Sequence, residues 1–315
     1  MSQPTEMQSN LAPGVSRRVL LTGIHGFTGR YLAQTLRASG HSVFGIVQGD
    51  ASGPGEIQAD LLDLDAISRA VEQVQPEWVV HLAAIAFVAH NDANAMYRTN
   101  VVGTRNLLQA LANASVAPRA VLLASSANIY GNTLVHPITE QVPAAPANDY
   151  AVSKLAMEYM ARLWFDRLPI TLVRPFNYTG VGQSENFLLP KIVNHYRRKA
   201  KVIELGNLDV ARDFSDVRHV VQVYQRLLEL ALAGETLNIC SGQAYSLAQV
   251  LDLMSDIAGY ALDVKVNPAF VRANEVKSLV GSNARLLEKM GQLPAASEAN
   301  FQPSLQETLR WMWQA

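Results

Sequence analysis

The apolar positions of this chain fall into short runs separated by stretches with helical periodicity. In "RRVLLTGIHGFTGRYLAQTLRASGHSVFGIVQGD" the run from Val19 to Leu21 reads as a buried strand. Tyr31, Leu32, Thr35 and Leu36 then recur at helical spacing, and Gly40 suits the end of that helix. Val43 to Val47 is a second strand. "PEWVVHLAAIA", "PRAVLLASSA" and "LPITLVRPFN" are three more. Strands alternating with helices predict an α/β fold built on a doubly wound parallel sheet.

After Phe176 the rhythm changes. "YTGVGQSENF" is a loop, "LLPKIVNHYRRKA" is helical, and "KVIELGNLDVARDFSDVRHVV" mixes short strands with loops. A capped helix starts near Ser246. Another starts at Ser304, with Glu307 three residues on to complete a capping box. This half predicts a smaller α+β lobe laid against the carboxyl edge of the sheet, where such sheets bind ligands. The expected division is a disordered leader over 1–15, a dinucleotide-binding domain over 16–175 plus about 214–240, and a substrate-binding lobe over 176–213 and 241–315.

Composition narrows the partners. The 315 residues carry 26 basic and 27 acidic side chains, a net charge of −1, so no overall field draws nucleic acid or an anionic membrane. An anionic ligand must be held by locally placed arginines or backbone amides. The one cysteine, Cys240, excludes an intrachain disulfide, and the seven histidines lack metal-ligand spacing, so no metal is expected. The polar N-terminus has no signal-peptide run, and "WVVHLAAIAFVAH" is too short to span a bilayer. A cytoplasmic protein is the expectation.

"TGIHGFTG" sets Gly23, Gly26 and Gly29 at three-residue intervals between a strand and a helix. Glycines there let the backbone approach a pyrophosphate, which the helix N-terminus can hold, so the segment predicts a dinucleotide site. His25 is read as a loop residue near the cofactor. The next strand ends in Val47 and Gln48, with no acid to select an unphosphorylated ribose and no arginine for a 2′-phosphate. That leans toward NADP(H) and leaves NAD(H) open. Further on, "NDYAVSKLAMEYMARL" places Tyr150 and Lys154 one helical turn apart. A lysine ammonium beside a phenol lowers its pKa from about 10 and lets it exchange a proton near neutral pH.

With the glycine loop and this pair in place, the chain resembles the extended short-chain dehydrogenase/reductase family, of Rossmann fold. The resemblance rests also on "ADLLDLDAI", "HLAAIA", "RTNVVGTRNLL" with Asn100, and "ASSANIYG". It implies that Gly23, Gly26, Phe27, Gly29, Asp60, Leu61, Ala83, Ala84, Tyr150 and Lys154 hold the cofactor, and that Ser126, Tyr150 and Lys154 are catalytic. "RPFNYTGVGQ", "GNLDVARDFSDV", "NICSG" and "RANEVKSLVGSNARL" are similar to the nucleotide-sugar branch, and within it to the GDP-4-keto-6-deoxymannose reductases. The implied substrate contacts are Ser126, Asn177, Arg212, Arg272 and Glu275. The implied reaction is reduction of the 4-keto group of a GDP-linked 4-keto-6-deoxyhexose, to the rhamnose or the talose product.

Three rival readings are weighed against it. A 4,6-dehydratase needs an acid and a base directly after the catalytic hydroxyl, where this chain has Ala127 and Asn128. A 4-epimerase needs only room for the keto sugar to rotate and stays open. A non-catalytic NAD(P)-binding regulator would have lost Tyr150 or Lys154, and both are present. The resemblance also implies a homodimer built on two helices of each subunit, one around Ala93 to Leu111 and the other carrying Tyr150 and Lys154, with a four-helix seam expected at Met96, Val101, Leu108, Met157 and Met160.

Overall fold

The computed structural model describes residues 15–86, 92–271, 276–291 and 302–315. The leader expected over 1–15 lies outside them except for Val15. The first half runs β1 (Arg18–Thr22), α1 (Phe27–Ala38), β2 (Ser42–Val47), β3 (Glu56–Gln58), α2 (Leu64–Val74), β4 (Trp78–His81), α3 (Ala93–Tyr97), α4 (Thr104–Asn113), β5 (Ala120–Ala124), α5 (Asp149–Arg162) and β6 (Ile170–Pro175). The second half runs β7 (Asn177–Thr179), α6 (Leu188–Arg197), β8 (Val202–Leu205), β9 (Ala211–Arg212), β10 (Phe214–Asp216), α7 (Val217–Leu230) and β11 (Thr236–Ile239). It ends with β12 (Tyr245–Ser246), α8 (Leu247–Ala258), β13 (Asp263–Val266), β14 (Ser278–Leu279), α9 (Ala284–Met290) and α10 (Leu305–Gln314).

Seven strands form one parallel sheet in the order β11-β6-β5-β4-β1-β2-β3. The chain leaves β1 in one direction through β2 and β3, then crosses back to β4 and beyond. That reversal opens a crevice at the carboxyl ends of β1 and β4. The central strands are apolar on both faces, as a sheet covered on both sides requires. Alternate residues of β1 feed opposite cores. Val19 and Leu21 pack with Leu32 and Leu36 of α1 and with Val220 and Tyr224 of α7. Leu20 packs with Ile67 and Val71 of α2, Leu107 and Leu111 of α4, and Met157 and Ala161 of α5.

A third apolar cluster stands apart from the sheet. Leu189, Ile192 and Tyr196 of α6 meet Ile203 and Leu205 of β8, Val250 and Met254 of α8, and Leu309 and Met312 of α10. Ser246 and Ser304 cap α8 and α10 with full capping boxes, to Gln249 and Glu307. Two short pairings tie this part to the sheet. β7 pairs in parallel with β10, directly after β6, and β9 is the middle strand of β12-β9-β14.

Two sequence expectations change here. The helix expected from about Ala93 to Leu111 is interrupted: Arg98–Gly103 winds as a π-helical segment between α3 and α4. The apolar seam expected for a partner is partly internal. Met96, Leu108 and Met157 are buried in the chain's own core, and Val101 and Met160 are half-buried. Those faces cover the sheet, so the outward apolar residues on these helices are others, Val102, Val152 and Tyr159 among them. Among the described residues no helix is long and apolar enough to cross a membrane.

Candidate active site

The glycine loop turns off the end of β1. Gly23 has φ +73°, in the left-handed region that strains other residues, and a Cβ there would stand 2.9 Å from the Ala83 amide nitrogen. A Cβ on Gly29 would stand 2.1 Å from the Gly23 carbonyl oxygen, so α1 and the loop touch backbone to backbone. Gly26 precedes α1, and no side chain caps the amides that begin at Phe27. They remain for an anion, with the positive end of the helix dipole behind them. The Phe27 ring stacks on Tyr178 at 6.1 Å, which leaves its amide as the group it offers the anion.

The other expected cofactor positions close round this cradle. The Ala83 amide donates to Thr22 Oγ1 at 3.1 Å, and Ala84 is half-buried beside it. Asp60 accepts from the Leu62 amide at 2.9 Å and from the Gln48 side chain at 3.3 Å, so the end of β2 is tied to the end of β3. Leu61 is buried, and its carbonyl accepts from Asn106 at 2.9 Å. All eight positions lie beyond the carboxyl ends of β1, β3 and β4. Close backbone approach and uncapped amides at that edge fit a dinucleotide.

The catalytic positions meet at the N-terminal part of α5. Asn148 caps this helix by accepting from the Ala151 amide at 2.9 Å. Tyr150 and Lys154 are both buried. Burial pushes Tyr150 up to about 12, a hydrogen bond with the Ser126 side chain opposes the rise, and Tyr178 adds to it. The expectation that Lys154 holds this phenol near neutrality is therefore corrected: desolvation prevails. Lys154 is itself pulled down to about 8 by burial, against the attraction of Glu158, and its ammonium donates to the Ala124 carbonyl at 2.8 Å. Ser126 begins a short 3₁₀ turn (Ala127–Tyr130), where its Oγ accepts from the Asn128 amide at 3.2 Å.

A buried chain of hydrogen bonds that periodicity did not reveal joins cradle to catalytic helix. Thr22 Oγ1 lies 2.7 Å from His81 Nδ1, and His81 Nε2 lies 2.8 Å from Thr104 Oγ1. Thr104 donates to the Asn100 carbonyl at 2.7 Å, so His81 gives its Nε2 proton to Thr104 and receives one from Thr22. Burial, and then the charge of Lys154, lower His81 to about 3, so it stays neutral. The Asn100 side chain donates to the Ile85 carbonyl at 3.2 Å and to Ser153 Oγ at 2.9 Å, and accepts from the Ile85 amide at 2.9 Å. It leaves the helix at the π-helical segment, a distortion frequent at functional sites.

At the substrate end, the β7–β10 pairing sets Asn177 beside Phe214, close in sequence to Arg212 on β9. Asn177 Nδ2 is buried without a hydrogen-bond partner among the described residues, as is Ser125 Oγ next to Ser126. A buried polar atom left so is costly unless a ligand completes it. Arg212 donates to the Ala211 and Lys277 carbonyls at 2.9 and 3.2 Å. Arg272 and Glu275 lie outside the described residues. Sequence reading missed Tyr178, whose hydroxyl bonds Thr28 at 2.7 Å and whose influence reaches Tyr150. It also missed Ser125, for which the serine doublet was the available signal.

Residues 19–240 match the NAD dependent epimerase/dehydratase family. The chain belongs to that family. It is 36% identical over 275 residues to a GDP-6-deoxy-D-talose 4-dehydrogenase of Aggregatibacter actinomycetemcomitans, covering 87% of this chain and 91% of that one. It is 34% identical over 291 residues to a GDP-6-deoxy-D-mannose reductase of Pseudomonas aeruginosa, covering 89% and 93%. Among solved structures, a Burkholderia cenocepacia J2315 protein described provisionally as an epimerase is 53% identical, with a TM-score of 0.87 over 95% of this chain and 97% of that one. RMD from Pseudomonas aeruginosa, complexed with NADPH, is 31% identical, with a TM-score of 0.81 over 95% and 98%. For a member of the epimerase/dehydratase family, the turn after Ser126 is informative. It carries Ala127, buried, and Asn128, half-buried, and neither side chain is a carboxyl.

Proposed function

We propose that the protein reduces the 4-keto group of a GDP-linked 4-keto-6-deoxyhexose, using NADPH or NADH. The observation that carries this reading is the turn after Ser126. With Ala127 and Asn128 there, the site can move a proton at the carbonyl oxygen, but this turn supplies no acid–base pair to eliminate water. The two GDP-6-deoxyhexose relatives support the substrate class, and RMD with NADPH supports the cofactor.

A nicotinamide bound in the cradle supplies hydride at its carbon 4. The residues of the chain do the rest. Ser126 hydrogen-bonds the sugar carbonyl and fixes its direction. Tyr150, held protonated by burial, gives its proton to that oxygen as charge develops. Lys154, a cation below about pH 8, stabilises the phenolate left behind and holds the nicotinamide ribose. Asn177, Arg212, Arg272 and Glu275 grip the diphosphate and the nucleoside ribose; planar guanidinium groups suit that task in a protein of near-zero net charge. The part over 176–213 and 241–315 acts as the substrate lobe, and the protein works in the cytoplasm as a homodimer.

The test is incubation of the purified protein with GDP-4-keto-6-deoxymannose and each reduced cofactor, with the product identified by NMR. A reductase consumes cofactor mole for mole and leaves GDP-mannose untouched. The 53% identical structure described as an epimerase motivates the second reading, 4-epimerisation. It predicts interconversion of a sugar nucleotide with no net consumption of cofactor.

A further inference from the structure

One turn beyond the reactive pair lies a buried ion pair. Glu158 follows Lys154 by four residues, as Lys154 follows Tyr150, so three ionisable side chains line one buried face of α5. Glu158 receives two hydrogen bonds from the Arg174 guanidinium, at 2.9 and 2.6 Å, and both residues are buried. Arg174 also donates to the Tyr130 hydroxyl at 2.9 Å and to the Glu140 carbonyl at 3.2 Å. Tyr130 in turn donates to Asn238 Oδ1 at 2.7 Å. The members adjoin the site: Tyr130 ends the turn that Ser126 begins, and Arg174 precedes Asn177 by three residues.

A buried ion pair gains little stability, because desolvating two ions offsets their attraction and an apolar pair of like volume does as well. Its position beside Lys154 points to electrostatics instead. We propose that Glu158, oriented by Arg174, is a positioning residue that keeps Lys154 protonated while Tyr150 gives up its proton. The proposal rests on reading Tyr150 and Lys154 as the reactive pair.

The charges around Lys154 bear this out one by one. On its own helix Tyr150, neutral because burial raises it, stands one turn before it, and Glu158 one turn after. From β4 it meets His81, held neutral by burial and by Lys154 itself. From β5 it meets the Ala124 carbonyl, a dipole without net charge. Arg174, from β6, is turned to Glu158, and Arg162 reaches the same carboxylate at 3.9 Å from the exposed side. Glu140 is committed to the Asn238 amide at 2.8 Å, on the far side of Arg174. Tyr178 faces Tyr150. Among the described residues, Glu158 is thus the anion that opposes the desolvation of Lys154. Without it less of the amine is protonated at working pH, and the phenolate formed at Tyr150 loses part of its counter-charge.

The experiment follows Lys154 directly. Protein labelled with ¹³Cε-lysine is titrated without cofactor by NMR, the Lys154 resonance being assigned by its loss in Lys154→Arg. Wild type is compared with Glu158→Gln and with the double variant Glu158→Leu, Arg174→Leu. The midpoint is expected to fall by about one unit or more in Glu158→Gln, the size of effect a nearby opposite charge exerts, and to fall in the same direction but by less in the double variant, which also removes the repelling Arg174 cation. The alkaline limb of kcat/KM is expected to move down with it. An unchanged Lys154 midpoint in a folded variant overturns the proposal. If Glu158→Gln leaves Arg174 too poorly matched to fold, the double variant decides, because it removes both charges together. The NMR midpoint needs no turnover. A wild type without reductase activity removes the functional reading, whereas an unmoved midpoint in an active enzyme removes this one.

Discussion

At Tyr150 burial and the Ser126 hydrogen bond pull in opposite directions, and burial prevails, leaving the phenol at about 12. A group so held is a proton donor waiting for a developing negative charge, which suits reduction. Tyr150→Phe is expected to abolish turnover while the cofactor Kd, measured by fluorescence titration, stays within about twofold, since only the donor is lost. Arg212→Ala should weaken sugar-nucleotide binding by about tenfold or more in calorimetry with cofactor binding unchanged, because a charge-assisted contact is worth roughly 1.5–3 kcal/mol. His81 makes a prediction about stability. Its pKa lies at about 3 in the folded chain, below the ordinary 6.5. As pH falls from 6.5 toward 3 the unfolded chain takes up a proton that the folded chain refuses. Stability is therefore fully present above 6.5 and is lost on acidification, by about 1.4 kcal/mol per pH unit within that window. Denaturant midpoints between pH 7 and 5 measure the slope, and His81→Gln should flatten it.

The elements act through where their ends are placed. α1 begins against the carbonyl of Gly23, so that helix and loop share one close backbone contact at the edge proposed for the cofactor. Gly29→Ala puts a methyl 2.1 Å from that oxygen and must push α1 away. It is expected to weaken cofactor binding by about tenfold or more while the far-ultraviolet circular dichroism of the folded sheet persists. Gly40, at the other end of the helix, has φ +84° and open space around it. Gly40→Ala should therefore cost about 1 kcal/mol of stability through backbone strain, with cofactor binding unchanged. The π-helical segment Arg98–Gly103 was not visible in the sequence. Asn100 and its neighbours keep ordinary helical spacing, and what displaces the winding is a set of partners from distant segments, Ile85 and Ser153.

For the whole molecule the outward face of α5 matters most. Val152, Tyr159 and, just past the helix end, Leu163 are exposed at helical spacing, Tyr159 at 66% and Leu163 at 80%. For the proposed homodimer, this stripe replaces Met96, Leu108 and Met157 as the expected seam. Tyr159→Asp is expected to turn a dimeric mass into a monomeric one in light scattering at micromolar concentration; a wild-type monomer would remove the dimer from the proposal. The sequence by itself determined the parallel α/β sheet, the glycine loop and the pairing of Tyr150 with Lys154. Those features are local: runs of apolar residues, a turn, and one helical turn of spacing are properties of contiguous chain. Tertiary structure decided which way charge falls in the site. Whether Lys154 or desolvation governs Tyr150, that His81 links Thr22 to Thr104, and that Glu158 meets Arg174 sixteen residues away all depend on packing segments far apart in sequence. Burial is set by that packing, and in a low-dielectric interior it shifts Tyr150, Lys154 and His81 in ways that sequence spacing does not show.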